Sequence, residues 1–215
     1  MSDGSMTQVV HVIIGLNVGG AELMLKRLIE SHQDNPKYRH SVISITLVGK
    51  VGTQLQEIGV EVRALGMCSL MDIPRVLLQL VRMIRAERPD IVQTWMYHAD
   101  LLGGLAARLA GNRRVIWGVR TTDVESGGKR VTLWVRQVCA WLSRRLPYKI
   151  VCAADASRRS HIGVGYEASR MVVVPNGFDL SRLVATEVQK DTLRAQCGFS
   201  AEAIVIRSLG RFHAV

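Results

Sequence analysis

The chain has 215 residues, of which 48% are hydrophobic, 21% charged and 5% aromatic, a globular composition with length for one full core and the edge of a second. No apolar run reaches the roughly 20 residues of a membrane span and no N-terminal stretch has the layout of a secretory signal. Twenty-eight Lys and Arg against 18 Asp and Glu leave a net charge of +10, which calls for an anionic partner (nucleic acid, membrane surface or phosphorylated substrate) or else for a merely solvated basic surface.

After a short polar leader, expected to be disordered over residues 1–6, the chain alternates between strand and helix patterns. Residues 9–16 read as a buried strand and 21–32 as a helix mixing Leu23, Leu25, Leu28 and Ile29 with Lys26, Arg27 and Glu30. Strands are expected at 40–48 and 60–65 around a short helix in 49–59. Residues 73–87 form a strong helix pattern, with Asp72 as candidate cap and Pro74 near its first turn. A fourth strand lies in "RPDIVQTWM", followed by a helix at 100–110, a fifth strand at 114–120 and a helix at 129–145. Short strands at 149–153 and 171–174 bracket a helix near 156–162; a helix near 190–197 and an apolar strand in "AIVIRSLG" follow.

Helices alternating with strands at this spacing predict βαβ units, a mostly parallel sheet and a Rossmann-like, doubly wound α/β fold. The main domain is expected over residues 7–180, a linker over 181–200, and the first strand of a further, truncated domain over 201–215. The four cysteines (Cys68, Cys139, Cys152 and Cys197) have neither metal-ligand nor redox spacing and read as free thiols in a reducing compartment.

Ligands of open α/β sheets bind beyond the carboxyl ends of the strands. That rim collects Asn17, Gly19, Gly20 and Glu22 after the first strand, and Trp95, Tyr97, His98 and Asp100 after the fourth. Arg120, Thr121, Thr122 and Asp123 follow the fifth, and Asn176, Gly177 and Asp179 the last. The Gly19-Gly20 pair permits a tight turn and a close backbone approach at a helix N-terminus, where a phosphate or a sugar hydroxyl fits. It is no dinucleotide fingerprint: G-x-G-x-x-G is absent and the second strand ends "TLVGK", without an acidic residue. Bland readings exist for each residue. His98 can be structural, Glu22 a complement to the helix dipole, Asp100 a helix cap, Arg120 and Asp123 a surface ion pair, and Asn176 and Gly177 turn chemistry.

"LNVGGAE", "PDIVQTWMYHADLLG", "VVVPNGFDLSRL" and "SLGR" occur in this order. Together they resemble the retaining glycosyltransferases of family 4, two-domain enzymes of the GT-B architecture. The resemblance implies that this chain is the acceptor-binding N-terminal half of such an enzyme. It places Gly19 and Gly20 beside the donor's diphosphate and sugar, puts His98 near the transferred sugar as the catalytic candidate, and makes Arg211 the start of the diphosphate clamp. Asn176, Gly177 and Asp179 become the approach to the hinge, and Tyr97, Asp100, Arg120 and Asp123 the candidates for acceptor contact. The clamp's lysine and paired-glutamate motif are not found, so the chain alone is expected to be inactive.

The implied function is transfer of a sugar from a nucleotide-sugar to a lipid-linked or polysaccharide acceptor in cell-surface glycan synthesis, with no metal and no separate cofactor. A cytoplasmic location follows, peripheral on the cytoplasmic face of the inner membrane, with an anionic membrane surface as partner and no specific nucleic acid. The 129–145 helix, with Trp134 and Trp141 among arginines, suits such a surface, whereas the bland reading packs both tryptophans into the core. Two other functions remain: a basic nucleic-acid- or anion-binding module without catalysis, and a nucleotide-sugar-modifying Rossmann enzyme.

Overall fold

The computed structural model describes residues 6–122, 130–178, 180, 184–200 and 202–206. They divide into two compact units at the Asn176–Gly177 bond. The first is a seven-stranded sheet, β1 (Thr7–Ile13), β2 (Tyr38–Ser44), β3 (Glu61–Ala64), β4 (Ile91–Trp95), β5 (Val115–Val119), β6 (Lys149–Cys152) and β7 (Met171–Val173). The strand order is β3-β2-β1-β4-β5-β6-β7 and every neighbouring pair is parallel. This is the doubly wound, Rossmann-like fold, and its order reverses between β1 and β4, where the crevice of such sheets lies.

Helices α1 (Gly20–Ser31) and α2 (Gly49–Glu57) follow β1 and β2; α3 (Ile73–Glu87), α4 (Tyr97–Leu109), α5 (Arg130–Leu142) and α6 (Asp155–Gly163) follow β3, β4, β5 and β6. A parallel strand buried on both faces must be apolar on both. Val10 and Val12 of β1 accordingly enter the core with α3, α4 and α5, while Ile13 enters the core with Leu25 and Ile29 of α1 and Val51 and Leu55 of α2.

That second core also holds a polar row. Trp95 Nε1 donates to His11 Nδ1 (3.3 Å), His11 Nε2 meets His40 Nδ1 (2.9 Å), and His40 Nε2 meets His32 Nδ1 (3.0 Å). The rings of His11 and His40, and of His40 and His32, are stacked 5.2 Å apart. Burial above all, then the neighbouring imidazoles, hold His11 well below the usual histidine pKa and His40 at about 4, so both are neutral near pH 7.

The main difference from the sequence-based expectation is α4, which begins at Tyr97, three residues earlier than expected. It approaches the sheet closely. A Cβ on Gly103 would meet Thr94 Cγ2 at 2.9 Å and Val12 Cγ1 at 3.0 Å, and one on Gly104 would meet the indole Nε1 of Trp117 at 2.7 Å. In the second unit, α7 (Glu187–Gln196) starts with a capping box between Thr186 and Gln189. The strand expected in "AIVIRSLG" is not present among the described residues 203–206, which pair with no described strand.

Gly104→Ala is expected to destabilise the protein by about 1–3 kcal/mol, because overpacking against buried Trp117 outweighs the roughly 1 kcal/mol helix-propensity gain. Gly163→Ala, at a helical glycine whose Cβ would meet nothing within 4 Å, is expected to be neutral or slightly stabilising. Urea unfolding of both variants checks the contrast.

Candidate functional site

The candidate site is built on the loops that leave β1, β4 and β5. After β1, Leu16 is fully buried and pins the loop, while Asn17 and Val18 stand exposed. Gly49, after β2, backs that loop at φ +60; a Cβ there would lie 2.6 Å from the Leu16 carbonyl and 2.7 Å from Asn17 N. Only glycine fits both the left-handed backbone and the contact. The loop is further tied by Val51 N–H to Leu16 O at 2.9 Å and by the Thr46 hydroxyl to Ile14 O at 2.7 Å.

The loop delivers Gly19 as N-cap of α1, in extended backbone (φ −156°) with no capping side chain, so the first N–H groups of α1 find no partner in the helix. Glu22 folds back so that a carboxylate oxygen would clash with a Cβ on Gly19, whereas a Gly20 Cβ would meet nothing within 4 Å. Neither glycine is required by a positive φ.

After β4 the backbone is strained. Met96, N-cap of α4, adopts φ 71° and ψ 157°, a region that side chains rarely enter and that persists only where the surroundings enforce it. The enforcing contacts are Met96 N–H to Gly118 O at 3.0 Å and Asp100 N–H to Met96 O at 2.8 Å. Past this corner, in the first turn of α4, stands His98. It is partly buried, has no hydrogen-bond partner among the described residues, and lines a cavity of about 450 Å³ with Ile14, Met67, Leu101 and Trp134. Burial lowers its pKa, so at neutral pH it offers one ring N–H and one ring acceptor to whatever enters.

After β5, Arg120 lies over the Trp95 ring, 4.7 Å from its centre, and donates to Asn176 Oδ1 at 2.9 Å. Arg120 therefore stays on the rim with Asn176, while Gly177 begins the second unit. Asp123, Asp179 and Arg211 lie outside the described residues.

Two expected acceptor contacts are corrected. Tyr97 is 2% exposed and its hydroxyl is 2.6 Å from His161 Nε2, so it faces the core. Asp100 is fully buried, with Oδ1 2.5 Å from Thr94 Oγ1 and 3.4 Å from Gly118 N. Both turn inward because α4 starts at Tyr97, which puts residues 97, 100 and 104 on the face toward the sheet. The core reading of the tryptophans is also corrected: Trp134 and Trp141 are 64% and 73% exposed. Among the described residues no group of three or more His, Cys, Asp or Glu is placed to hold a metal ion, the histidine row included.

Residues 18–182, most of the chain, match Glycosyltransferase Family 4. The chain belongs to that family. Its relatives include the Escherichia coli UDP-Gal:alpha-D-GlcNAc-diphosphoundecaprenol alpha-1,3-galactosyltransferase, 26% identical over 66% of this chain and 37% of that enzyme. EpsF of Bacillus subtilis, assigned as a glycosyltransferase, is also 26% identical, over 99% of this chain and 56% of its own length. Anabaena HepE, solved in complex with UDP, superposes with a TM-score of 0.73 at 20% identity, over 89% of this chain and 50% of its own, and shows the shared fold. The family 4 chain thus spans about half the length of the relatives it matches.

Sequence reasoning missed Gly49, Thr94 and the strained Met96. The glycine closing "TLVG" was a usable signal for the first; the others depend on contacts between strands distant in the chain.

Burial raises the Asp100 carboxyl to about 8, against weaker lowering by Thr94 and Gly118. The hydrogen bonding agrees. The Thr94 hydroxyl lies near both Asp100 Oδ1 and, at 3.3 Å, Ile116 O, and its one hydrogen cannot serve both unless the carboxyl supplies another. A raised folded pKa gives stability that is fully present below about 3.9, the unfolded value, and is lost as pH rises toward 8. Asp100→Asn is therefore expected to gain on the wild type progressively between pH 4 and 8 in chemical denaturation. A constant deficit across that range would show that the fold uses the ionised carboxylate.

Proposed function

We propose that the chain is the acceptor-side part of a retaining glycosyltransferase that moves a sugar from a UDP-class nucleotide-sugar to a lipid-linked or polysaccharide acceptor. Its place is cell-surface glycan synthesis on the cytoplasmic face of the inner membrane. Family membership supports sugar transfer. UDP in the solved HepE complex and the diphosphoundecaprenol named for the E. coli relative support the donor and acceptor classes. The observation that carries the site assignment is His98, a neutral imidazole with no hydrogen-bond partner among the described residues, held past a strained corner at the β1/β4 switch point.

In this reading the bond from the sugar's anomeric carbon to the donor diphosphate breaks. The acceptor oxygen bonds to that carbon on the same face, and the acceptor's proton leaves on the diphosphate. The free N–H groups opening α1 meet the departing diphosphate, with arginines rather than a metal supplying positive charge. The Glu22 carboxylate beside Gly19 accepts from a hydroxyl of the transferred sugar next to that diphosphate. His98 hydrogen-bonds the transferred sugar. The exposed face of α5, with Trp134 and Trp141 and the arginines Arg144 and Arg145 just beyond the helix, lies at the membrane surface. No described helix is long and apolar enough to cross a membrane.

In the full-length enzyme His98→Ala is expected to lower kcat/KM by about 10²-fold or more with little change in Tm. Near-normal turnover would return His98 to a structural role. The 215-residue chain by itself is expected to transfer no sugar from a panel of UDP-sugars; robust turnover would overturn the division of the site between two domains.

Gly20→Ala separates space for ligand from backbone strain. The open Cβ position and ordinary φ predict an unchanged or slightly raised Tm. A higher KM for the donor is expected alongside. If donor kinetics also stay at wild-type values, no ligand occupies that corner.

A further inference from the structure

We infer that the apolar groove between α3, α4 and α5 holds the first isoprene units of a polyprenyl-diphosphate-linked acceptor, head toward His98 and tail leaving past Trp134. The inference rests on the proposed glycosyl transfer and goes beyond it by assigning the acceptor a seat on this chain. The cavity of about 450 Å³ is within the roughly 300–1,000 Å³ usual for small-molecule sites. Such sites normally add several polar groups to an apolar lining, and a sugar or a nucleotide needs them. Among the described residues the only ionisable side chains on the wall are His98 and Arg130, one from the reacting rim and one from the first turn of α5. The remaining wall is hydrocarbon, and the ligand chemistry it selects is hydrocarbon with an anionic end.

The groove is not a core void. Leu70 is 65% exposed, Val131 48% and Trp134 64%, so its outer wall stands in water. Trp141 lies seven residues after Trp134 and Arg130 four before it, which places them along one face of α5. Arg130 and His98 thus share the groove wall with the apolar side chains, and the exposed indoles follow Arg130 along α5. An amphipathic ring at such a position sits at the boundary between hydrocarbon and water. A carrier chain longer than the groove continues past Trp134 into the bilayer. The net charge of +10 favours a diphosphate carrier over a neutral lipid.

The test uses the 215-residue chain and geranylgeranyl diphosphate as the probe, followed by tryptophan fluorescence. Trp95 and Trp117 are fully buried, so a response confined to the wild type and lost in Trp134→Phe reports on the groove. A saturable blue shift is expected. Leu70→Glu and Val131→Glu, at exposed positions that leave the fold intact by circular dichroism, are expected to weaken it about tenfold or more. Inorganic diphosphate alone is expected not to reproduce it, and phosphatidylcholine–phosphatidylglycerol vesicles without isoprenoid, which meet Trp134 at the surface of α5, are expected to shift the emission with no dependence on Leu70. Equal binding by both Glu variants, or an equal response to inorganic diphosphate, overturns the assignment. A response to the plain vesicles that Leu70→Glu weakens as strongly as it weakens the response to the probe overturns it in favour of bilayer docking. If the probe fails to bind while the full-length enzyme still transfers sugar, the groove assignment falls and the proposed function stands. If a full-length protein binds the probe but transfers no sugar, the proposed function falls and the groove remains a polyprenyl-diphosphate site.

Discussion

The close seat of α4 on the sheet is the constraint from which the rest of the rim follows. Gly103 and Gly104 let the helix backbone approach Val12 of β1, Thr94 of β4 and Trp117 of β5 at distances a side chain would forbid. With the helix that close, the β4–α4 connection has no room for a relaxed turn, and Met96 takes up the difference at φ 71°. Asp100 then reaches Thr94 on β4 and Gly118 on β5 from inside the helix, joining the three elements at one carboxyl. His98 is where it is because two residues on either side of it are held this firmly. A looser helix would leave the same imidazole in the chain and lose its aim.

The rim has two characters that the fold keeps apart. Toward α1 it is polar: N–H groups with no partner inside the helix, the Glu22 carboxylate and, after β5, Arg120 stacked on Trp95 and bonded to Asn176. Toward α3 and α5 it is hydrocarbon. His98, neutral and half-buried, stands on the boundary. A ligand with a charged, hydroxylated end and a greasy end meets both halves without any side chain having to be buried unpaired, which is the usual cost of mixing such surfaces.

Much of this was legible in the sequence. The βα alternation implied the parallel sheet, and the pattern of residues 73–87 coincides with α3 from first residue to last. The rim residues were found because strand ends are where apolar runs stop. What failed was the direction of side chains near those ends. Starting α4 at Asp100 rather than Tyr97 makes Tyr97 and Asp100 loop residues facing solvent; three more residues of helix make them core. The signal was available, since "YHADLLGGLAA" places Tyr97, Asp100 and Gly104 on one helical face. Trp134 and Trp141 misled for the opposite reason. Large apolar residues are normally interior, and only the tertiary arrangement shows that α5 leaves this pair outside. The strain at Met96 has no local signature, because it is imposed by Gly118 on another strand.

The row of imidazoles behind Trp95 obeys the rule that governs ice: one hydrogen to each link. An indole nitrogen only donates, so His11 must accept at Nδ1 and, being neutral, carry its hydrogen on Nε2. That hydrogen fills the link to His40, which repeats the arrangement toward His32. The row has therefore a single direction, written from its inner end outward. A proton settling on the inward nitrogen of His32 would oblige each link to reverse, and the last reversal would set a hydrogen on His11 against the hydrogen of Trp95. The same indole lies under the Arg120 guanidinium, so the ring whose lone hydrogen orders the interior row also forms the floor of the polar rim.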